Sequence, residues 1–349
     1  MKKLYKYIIL SCCAGILAGC NPELDEVSTP ERGGENEGGT TAERSAILLS
    51  ASAGTEFGTK ATGSFPNDGK IAVTAAYYNG VSVNWLSYPD IQNTTATANQ
   101  INDTHYEFVW NNNDIKYWPF DDSELVFMAY SPVPDGSAVS MGYDPTFVKL
   151  SLQANMPDVL YATANATASI VPYMKTTADT VRLGEFRHAL SQVTVKVQPG
   201  EHMNPNVQVS SLTLTTTKRK ATLDLFGGDT GLTLDTQDES FTYSLVTSPT
   251  NFFTTPVSET VLVYPATEDD TTVSISLTDG QFSVSVTYDI ADFENIVSNL
   301  NDLKFERAIN TILTITVNGT EVQKPNDNIQ LKGTLSNWDP QENYGVIIK

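Results

Sequence analysis

The 349-residue chain is long enough to bury a sizeable core, and it is strongly acidic, with a formal net charge of -20 at pH 7. This charge repels phosphate backbones and anionic headgroups, which argues against a nucleic-acid partner and against membrane binding through a basic patch. Hydrophobic residues at 40% and charged residues at 18% are typical of a folded protein of about two domains.

Residues 1–20 have the pattern of a lipoprotein signal peptide. Three lysines precede an apolar run, Ile8 to Leu17, that is too short to remain as a membrane span. The following Leu17-Ala18-Gly19-Cys20 resembles a bacterial lipobox, in which Cys20 would be acylated and become the mature N-terminus. A plain secretory signal with an incidental cysteine is the alternative. All three cysteines lie in this segment, so we expect no disulfide and no thiolate metal site in the folded part.

Residues 21–44 are rich in Gly, Glu, Thr and Pro and have no apolar period, which predicts a flexible tether. A first strand over residues 45–53 then places alternate residues on one face, namely Ile47, Leu49, Ala51 and Ala53. A polar loop follows and reaches Lys60-Ala61. We expect a trypsin-like protease to cut there and to remove the strand, with Arg44 and Arg32 in the tether as rival cut sites. An ordinary first strand with an uncut loop is the alternative.

From Lys70 onward, short alternating or β-branched runs separated by turn residues predict a β-sandwich. In the first half the predicted strands are Lys70 to Gly80, His105 to Trp110 and the central strand Glu124 to Pro132. In the second half they are Ser191 to Val197, Ser210 to Thr216, a hairpin at Ala221 to Asp235, a hairpin at Thr272 to Tyr288, and Asn310 to Val322. The Asp279-Gly280 pair suits a two-residue type I′ turn.

A short helix is predicted after Asp292 as N-cap, because Phe293, Ile296, Val297 and Leu300 recur at helical spacing. We place the domain boundary at residues 185/186. This gives an N-terminal domain over 45–185 and a C-terminal domain over 186–349.

No residue pattern points to catalysis, a cofactor or a metal. The three histidines, His105, His188 and His202, lack the spacing of zinc ligands, and phosphate-binding and nucleophile motifs are missing. The acidic clusters at Asp121-Asp122 and Glu268-Asp269-Asp270 are interpreted as solvated turns, since they lack the spacing of a calcium loop. We therefore do not expect an enzyme.

Aromatic residues are concentrated in the first half of the chain, at Tyr77, Tyr78, Trp85, Tyr88, Tyr117 and Trp118. Exposed rings of this kind can stack on sugars, although a sandwich core also needs such residues. A surface lipoprotein that binds a glycan near Trp85 and Trp118 and never polymerises is therefore the alternative function.

Several stretches together resemble the fimbrillins of Bacteroides and Porphyromonas, the subunits of the type V pilus. They are the lipobox, the first strand and basic residue before Ala61-Thr62-Gly63, Ile71 to Tyr78, Tyr117-Trp118-Pro119 with Leu125 to Pro132, and Phe186 to Ser191. The resemblance implies two tandem transthyretin-like β-sandwiches and a lipoprotein precursor at the outer membrane. It also implies removal of the first strand by a trypsin-like or gingipain-like surface protease.

The family resemblance further implies that the opened groove accepts a donor strand from the C-terminal region, 328–349, of the next subunit. Two candidate donors alternate suitably: one carries Ile329, Leu331 and Leu335, and the other carries Tyr344, Val346 and Ile348. The expected function is a stalk or tip subunit of a surface fimbrium, serving adhesion or biofilm attachment. Its expected partners are other fimbrial subunits and a host or bacterial receptor, with the membrane reached only through the lipid anchor.

Overall fold

The computed structural model describes residues 45–52, 69–102, 105–111, 114–121, 123–142, 144–163, 173–174, 180–184, 186–227, 231–237, 239–294, 304–319 and 329–337. Most of them are extended, and the strands are, in chain order, β1 (Leu48–Ser52), β2 (Lys70–Tyr77), β3 (Thr94–Asn102), β4 (His105–Trp110), β5 (Leu125–Ser131), β6 (Val139–Met141), β7 (Phe147–Ser151), β8 (Leu160–Thr163), β9 (Thr180–Arg182), β10 (Arg187–His188), β11 (Ser191–Pro199), β12 (Gln208–Thr216), β13 (Lys220–Asp224), β14 (Leu232–Leu234), β15 (Phe241–Val246), β16 (Thr250–Asn251), β17 (Val257–Val263), β18 (Thr271–Thr278), β19 (Ser283–Asp289), β20 (Ile309–Val317) and β21 (Ile329–Asn337). A five-residue helix, α1 (Ile290–Glu294), follows β19. The predicted all-β class is confirmed.

The strands form four sheets. The largest has eight strands in the order β10-β8-β5-β2-β3-β4-β1-β9. Two sheets are built from the second half of the chain: a four-stranded one ordered β17-β11-β20-β21, and a five-stranded one ordered β15-β12-β18-β19 with β16 beside β12. The fourth sheet, β14-β13-β7-β6, combines strands from both halves.

The composition of β5 explains its position in the middle of the large sheet. Its sequence LVFMAYS is apolar on both faces, and all seven residues are buried. A strand that is covered on both sides needs such a continuous run, and Pro132, which follows it, cannot donate a ladder hydrogen bond. The predicted central strand is therefore present and ends at the residue before this proline.

Among the described residues, the buried apolar side chains form two clusters. The N-terminal core collects the inward residues of β1, β3 and β4 and one face of β2 and β5, including Ile71, Val73 and Phe127. The second core contains the opposite face of β2 and β5, including Met128 and Tyr130, together with residues of the second-half sheets. The middle of the eight-stranded sheet is thus covered on both faces, whereas exposed residues such as Val109 remain on one face of β4.

Two local expectations were wrong. The β18–β19 hairpin exists, but Thr278 pairs with Ser283, so the connection has four residues and is not a two-residue type I′ turn. Gly280 takes a positive φ of 90°, and the Asp279 carboxylate closes the turn by accepting hydrogen bonds from two following amides. The helix begins at Ile290, so Asp292 lies in its first turn and not at the N-cap position, and Ile296, Val297 and Leu300 lie outside the described residues.

Hydrogen-bonded ladders join strands from the two sides of the expected boundary at 185/186. β10 pairs with β8, placing Arg187 opposite Tyr161, and β13 pairs with β7 over five positions. Residues 44–349 form one compact unit. The division into two transthyretin-like sandwiches stays a prediction.

Candidate strand-exchange site

β1 lies inside the eight-stranded sheet, between β4 and β9. It runs antiparallel to β4, where Leu49 faces Phe108, and parallel to β9, where Leu49 faces Val181. Leu49 is only 1% exposed, whereas its neighbour Leu48 is 55% exposed. Ile47 and Ala51 are buried with Leu49 in the N-terminal core. These three residues therefore share one buried face, as the alternation of the sequence indicates.

Backbone groups just before β1 are also paired. The Ile47 amide donates to the Lys116 carbonyl oxygen at 2.8 Å, and the Trp118 amide donates to the Ser45 carbonyl oxygen at 3.0 Å. The indole Nε1 of Trp110 donates to the Ile47 carbonyl oxygen at 2.8 Å in a buried position. All three bonds end on backbone atoms of Ser45 and Ile47, just before β1, so they hold this segment in place without selecting its side chains.

β9 pairs with the edge of β1 that does not face β4. It is a three-residue strand at the end of the sheet order, and β1 is its neighbour there. Its parallel register pairs Leu48 with Thr180 and Ser50 with Arg182, and the Leu183 amide donates to the Ser50 carbonyl oxygen at 2.7 Å. The position of β9 therefore depends on a strand occupying the place of β1.

Removal of β1 would leave a slot between β4 and β9. Its apolar walls come from the residues that share the core with β1, among them Tyr106, Phe108, Trp110, Val181 and Leu183. The amides and carbonyls of both flanking strands would lose their partners, which are costly to leave buried and unpaired. Such a slot accepts an extended segment with apolar side chains at alternate positions.

The predicted processing and lipidation residues lie outside the described part of the chain. They are Cys20, Arg32, Arg44, Lys60 and Ala61, and the last residue of the predicted first strand, Ala53, joins them. β1 ends at Ser52 and β2 begins at Lys70, so the expected cut at Lys60 falls in the connection between these two strands.

The two candidate donor segments differ in their placement. The first forms β21, the edge strand of a four-stranded sheet. It pairs with β20 along its whole length, from Ile329 opposite Val317 to Asn337 opposite Ile309. Leu331 is 5% exposed and belongs to the second core, whereas the face of β1 belongs to the N-terminal core. The second candidate, with Tyr344, Val346 and Ile348, lies outside the described residues.

A cleft of about 600 Å³ lies beside the segment that pairs with Ser45–Ile47. Burial and the carboxylates of Asp121 and Asp90 raise the pKa of the Tyr77 phenol. The cleft wall combines aromatic, apolar and charged residues: Tyr77, Tyr88, Asp90, Asp114, Ile115, Lys116, Tyr117, Trp118, Pro119, Phe120 and Asp121. Aromatic rings beside carboxylates can bind a polyhydroxylated ligand, because the rings stack and the carboxylates accept hydrogen bonds.

The two tryptophans proposed for glycan binding have different surroundings. Trp118 is 4% exposed in the N-terminal core and contributes to the cleft wall. Trp85 packs on Phe226 with ring centroids 4.8 Å apart. The structure does not bring the two into one exposed platform, so the cleft is the better candidate site.

Histidines and acidic residues form no metal-binding group of three or more among the described residues. His188 instead pairs with Asp158, with 2.9 Å between Nδ1 and Oδ1, and both side chains are buried. Within the same part of the chain, no helix is long and apolar enough to cross a lipid bilayer.

Sequence reasoning missed the residues that surround β1. β9 is only three residues long and gives no periodic signal, and the contact of Lys116 and Trp118 with the first strand joins segments about seventy residues apart. Only the β4 residues Tyr106, Phe108 and Trp110 had a detectable signal, since they alternate clearly along a predicted strand.

Comparison with solved structures identifies the fold. A candidate cell adhesion protein from Bacteroides uniformis superposes with a TM-score of 0.54 at 16% identity, over 84% of this chain and 98% of that one. A fimbrial protein from Bacteroides vulgatus gives 0.50 at 14% identity, over 85% and 100% of the two chains. A candidate cell adhesion protein from Bacteroides ovatus gives 0.51 at 11% identity, over 86% and 100%.

No curated protein sequence matches the chain significantly. The sequence profile of the family described as fimbrillin-like matches residues 59–338, which is most of the chain. The match begins just after β1 and extends through β21. The chain therefore belongs to the fimbrillin-like family.

Proposed function

We propose that this chain is a structural subunit, stalk or tip, of a surface fimbrium that assembles by protease-triggered donor-strand exchange. Family membership and the fold shared with a fimbrial protein support the fimbrial role. The observation that carries the exchange step is the placement of β1: its apolar face is buried, yet a single cut in the connection to β2 would free it from the rest of the fold.

The free energy gained when a strand fills the slot is large enough to hold an exchanged strand in place. Burying two large aliphatic side chains and one alanine contributes about 4–7 kcal/mol as an upper estimate. The backbone hydrogen bonds to β4 and β9 add about 0.5–1.5 kcal/mol each. This sum is comparable with the stability of a whole domain, so an unfilled slot is unfavourable and a donor strand that fills it is strongly held.

The position of the cut decides whether β1 can leave. A cut between Lys60 and Ala61 would separate β1 from β2 and leave the strand held by non-covalent contacts alone. A cut after Arg44 would remove the lipidated tether but leave β1 covalently attached to β2. We therefore favour Lys60-Ala61 as the site of a trypsin-like or gingipain-like protease acting on an outer-membrane precursor that is anchored through Cys20.

The terminal segment is the favoured donor. β21 is already engaged in nine register pairs with β20, and donating it would break that ladder. Residues Tyr344 to Lys349 follow β21 and offer Tyr344, Val346 and Ile348 on one face of an extended chain. Donation to the next copy is a head-to-tail contact that does not close on itself, so it builds a filament.

Electron microscopy of cells that express the chain, combined with N-terminal sequencing of the surface protein, tests this proposal. The wild type should form fibres with Ala61 as the first residue. Lys60→Ala should abolish both the fibres and the cleavage before Ala61. The matched Lys60→Arg keeps a cleavable basic residue and should retain the fibres and the cleavage. Fibres formed by Lys60→Ala, or an acylated Cys20 on assembled wild-type protein, would contradict the mechanism.

Deletion of Tyr344 to Lys349 tests the donor separately. The truncated chain should still fold and be cut, because it keeps every residue of the two cores, from Ile47 to Leu331, but it should not extend a fibre. Normal fibres from the truncated chain would rule out the terminal donor and leave β21 as the remaining candidate.

The cleft supports a second candidate function, a surface lipoprotein that binds a neutral glycan. In that case the surface protein would begin at acylated Cys20, and Phe120→Ser would weaken glycan binding while Phe253→Ser, also at an exposed phenylalanine, would not. In a fimbrial tip, the same cleft is a candidate site for a host or bacterial receptor.

A further inference from the structure

The outward face of the five-stranded sheet carries hydroxyl groups in place of charges. The inward residues of its two central strands are buried, among them Leu212, Leu214, Val273 and Ile275. The alternating residues point the other way. We call this surface the hydroxyl face, and its members are Ser211, Thr213, Thr215, Thr242, Ser244, Thr272, Ser274, Ser276, Thr278, Ser283, Ser285 and Thr287.

The strand register aligns these hydroxyls in rows across the sheet. One row runs Ser244, Thr213, Ser274, Thr287. The next runs Thr242, Thr215, Thr272 and ends at Asp289, the one carboxylate within the rows, at a corner of the face. A third row contains Ser211, Ser276 and Ser285. The face is therefore a regular, nearly uncharged array.

Neighbouring hydroxyls in the rows are hydrogen-bonded to one another. The oxygens are 2.7 Å apart in the Ser276–Ser285 pair, 2.8 Å in Ser274–Thr287 and 3.0 Å in Thr215–Thr242. These bonds fix the rotamers of the side chains and satisfy part of their hydrogen-bonding capacity. The face is thus ordered in advance, and covering it costs less desolvation than covering free hydroxyls.

The charge of the chain suggests what covers this face. At a net charge of -20 two copies repel each other over most approaches, whereas a face with a single corner carboxylate allows them to approach closely. We infer that the hydroxyl face is a contact surface between copies of this chain, which joins neighbouring fibres side by side.

The size of the face predicts a weak contact that needs repetition. Four strands about 4.8 Å apart, with rows spanning about 20 Å along them, give about 400 Å² on each copy. A stable pair buries about 800 Å² on each partner, so isolated copies should remain monomeric. Fibres repeat the face many times, and multivalency then converts a weak contact into a stable one. The biological setting rests on the proposed fimbrial function, but the contact itself does not.

Beads that display many copies test the contact without any fibre. The chain from Cys20 to Lys349 is coupled through its single thiol, and bead clustering is measured by light scattering. Wild-type beads should cluster, and more so at high salt, which screens the net charge. Ser274→Glu places a carboxylate in the centre of the face and should reduce clustering by at least about tenfold, whereas Ser274→Ala should preserve it.

Ser258→Glu is the matched control, because it places the same charge on an exposed serine of β17, in the four-stranded sheet β17-β11-β20-β21. It should leave clustering unchanged. Wild-type beads that stay dispersed at all salt concentrations, or equal clustering of Ser274→Glu, would overturn the inference. Clustering that requires an added neutral polysaccharide would also overturn it and indicate a glycan partner. Because the beads supply the repetition, a failure of the fibre assay leaves this result standing.

Discussion

The placement of β1 makes a specific prediction for two adjacent leucines. Leu48 and Leu49 have the same side chain and lie in the same strand, but Leu48 is 55% exposed and Leu49 is 1% exposed. We therefore compare Leu49→Ala with Leu48→Ala. The two substitutions remove the same atoms from the same strand, so any difference between them reports which face of β1 is buried.

The expected magnitudes follow from burial. Leu49 lies between Phe108 of β4 and Val181 of β9 in the N-terminal core, so truncation should leave a cavity and lower the unfolding free energy by about 2–5 kcal/mol. Truncation of Leu48 should change it by less than about 0.5 kcal/mol. With a urea dependence of about 3 kcal/mol per molar, Leu49→Ala moves the midpoint down by about 1 M.

Urea denaturation followed by tryptophan fluorescence is a suitable assay, since the Trp110 indole donates to the backbone just before β1. A second readout is the release of β1 after a cut at Lys60, which Leu49→Ala should accelerate. Equal effects of the two substitutions, or a larger effect of Leu48→Ala, would show that β1 does not present the face described here and would refute the slot.

Three further predictions concern the packing around the described elements. Trp110→Phe removes the indole donor to the Ile47 carbonyl oxygen and should lower the unfolding free energy by about 1–3 kcal/mol in urea denaturation; an unchanged midpoint would contradict this. Gly200→Ala would place a Cβ in steric clash with Asn318 Oδ1 and should lower the melting temperature, whereas unchanged melting would show that this turn is not so tightly packed. Burial, with a smaller effect of Asp292, raises the pKa of Tyr288 to about 12. Its contribution to stability is complete below the unfolded pKa of about 10 and is lost as the pH rises through the folded value. Tyr288→Phe should therefore reduce the loss of melting temperature between pH 9 and pH 11, and an identical loss in both proteins would refute the assignment.

The strands that were predicted correctly have clear apolar periods. β4 matches the predicted His105 to Trp110, and β11, β12, β18 and β20 overlap the alternating runs in the second half. β3 was missed because most residues of its sequence TTATANQIN are small or polar. Its inward side chains include Ala96 and Ala98, which are too small to give a clear apolar period. Close packing against neighbouring strands, not hydrophobicity, allows such a segment to be a strand.

Part of the candidate site could be predicted, and part could not. The alternation of Ile47, Leu49 and Ala51 predicted one buried face, and the structure places these residues there. The alternation does not reveal that β1 is inserted between β4 and β9, because a strand's period carries no information about its partners. The contact with Trp110 is likewise invisible in sequence, since the donor and acceptor are 63 residues apart.

The sequence by itself determines several features of this protein: the extended segments that have clear apolar periods, the apolar side of each of them, and a strongly negative net charge. These features follow from the two-residue period of a strand and from the charges of its residues. Only the tertiary structure decides that β1 is flanked on both sides, that β7 pairs with β13, and that ten hydroxyls align in three rows. The physical reason is that strand neighbours and register are set by packing between segments distant in sequence, which no local pattern encodes.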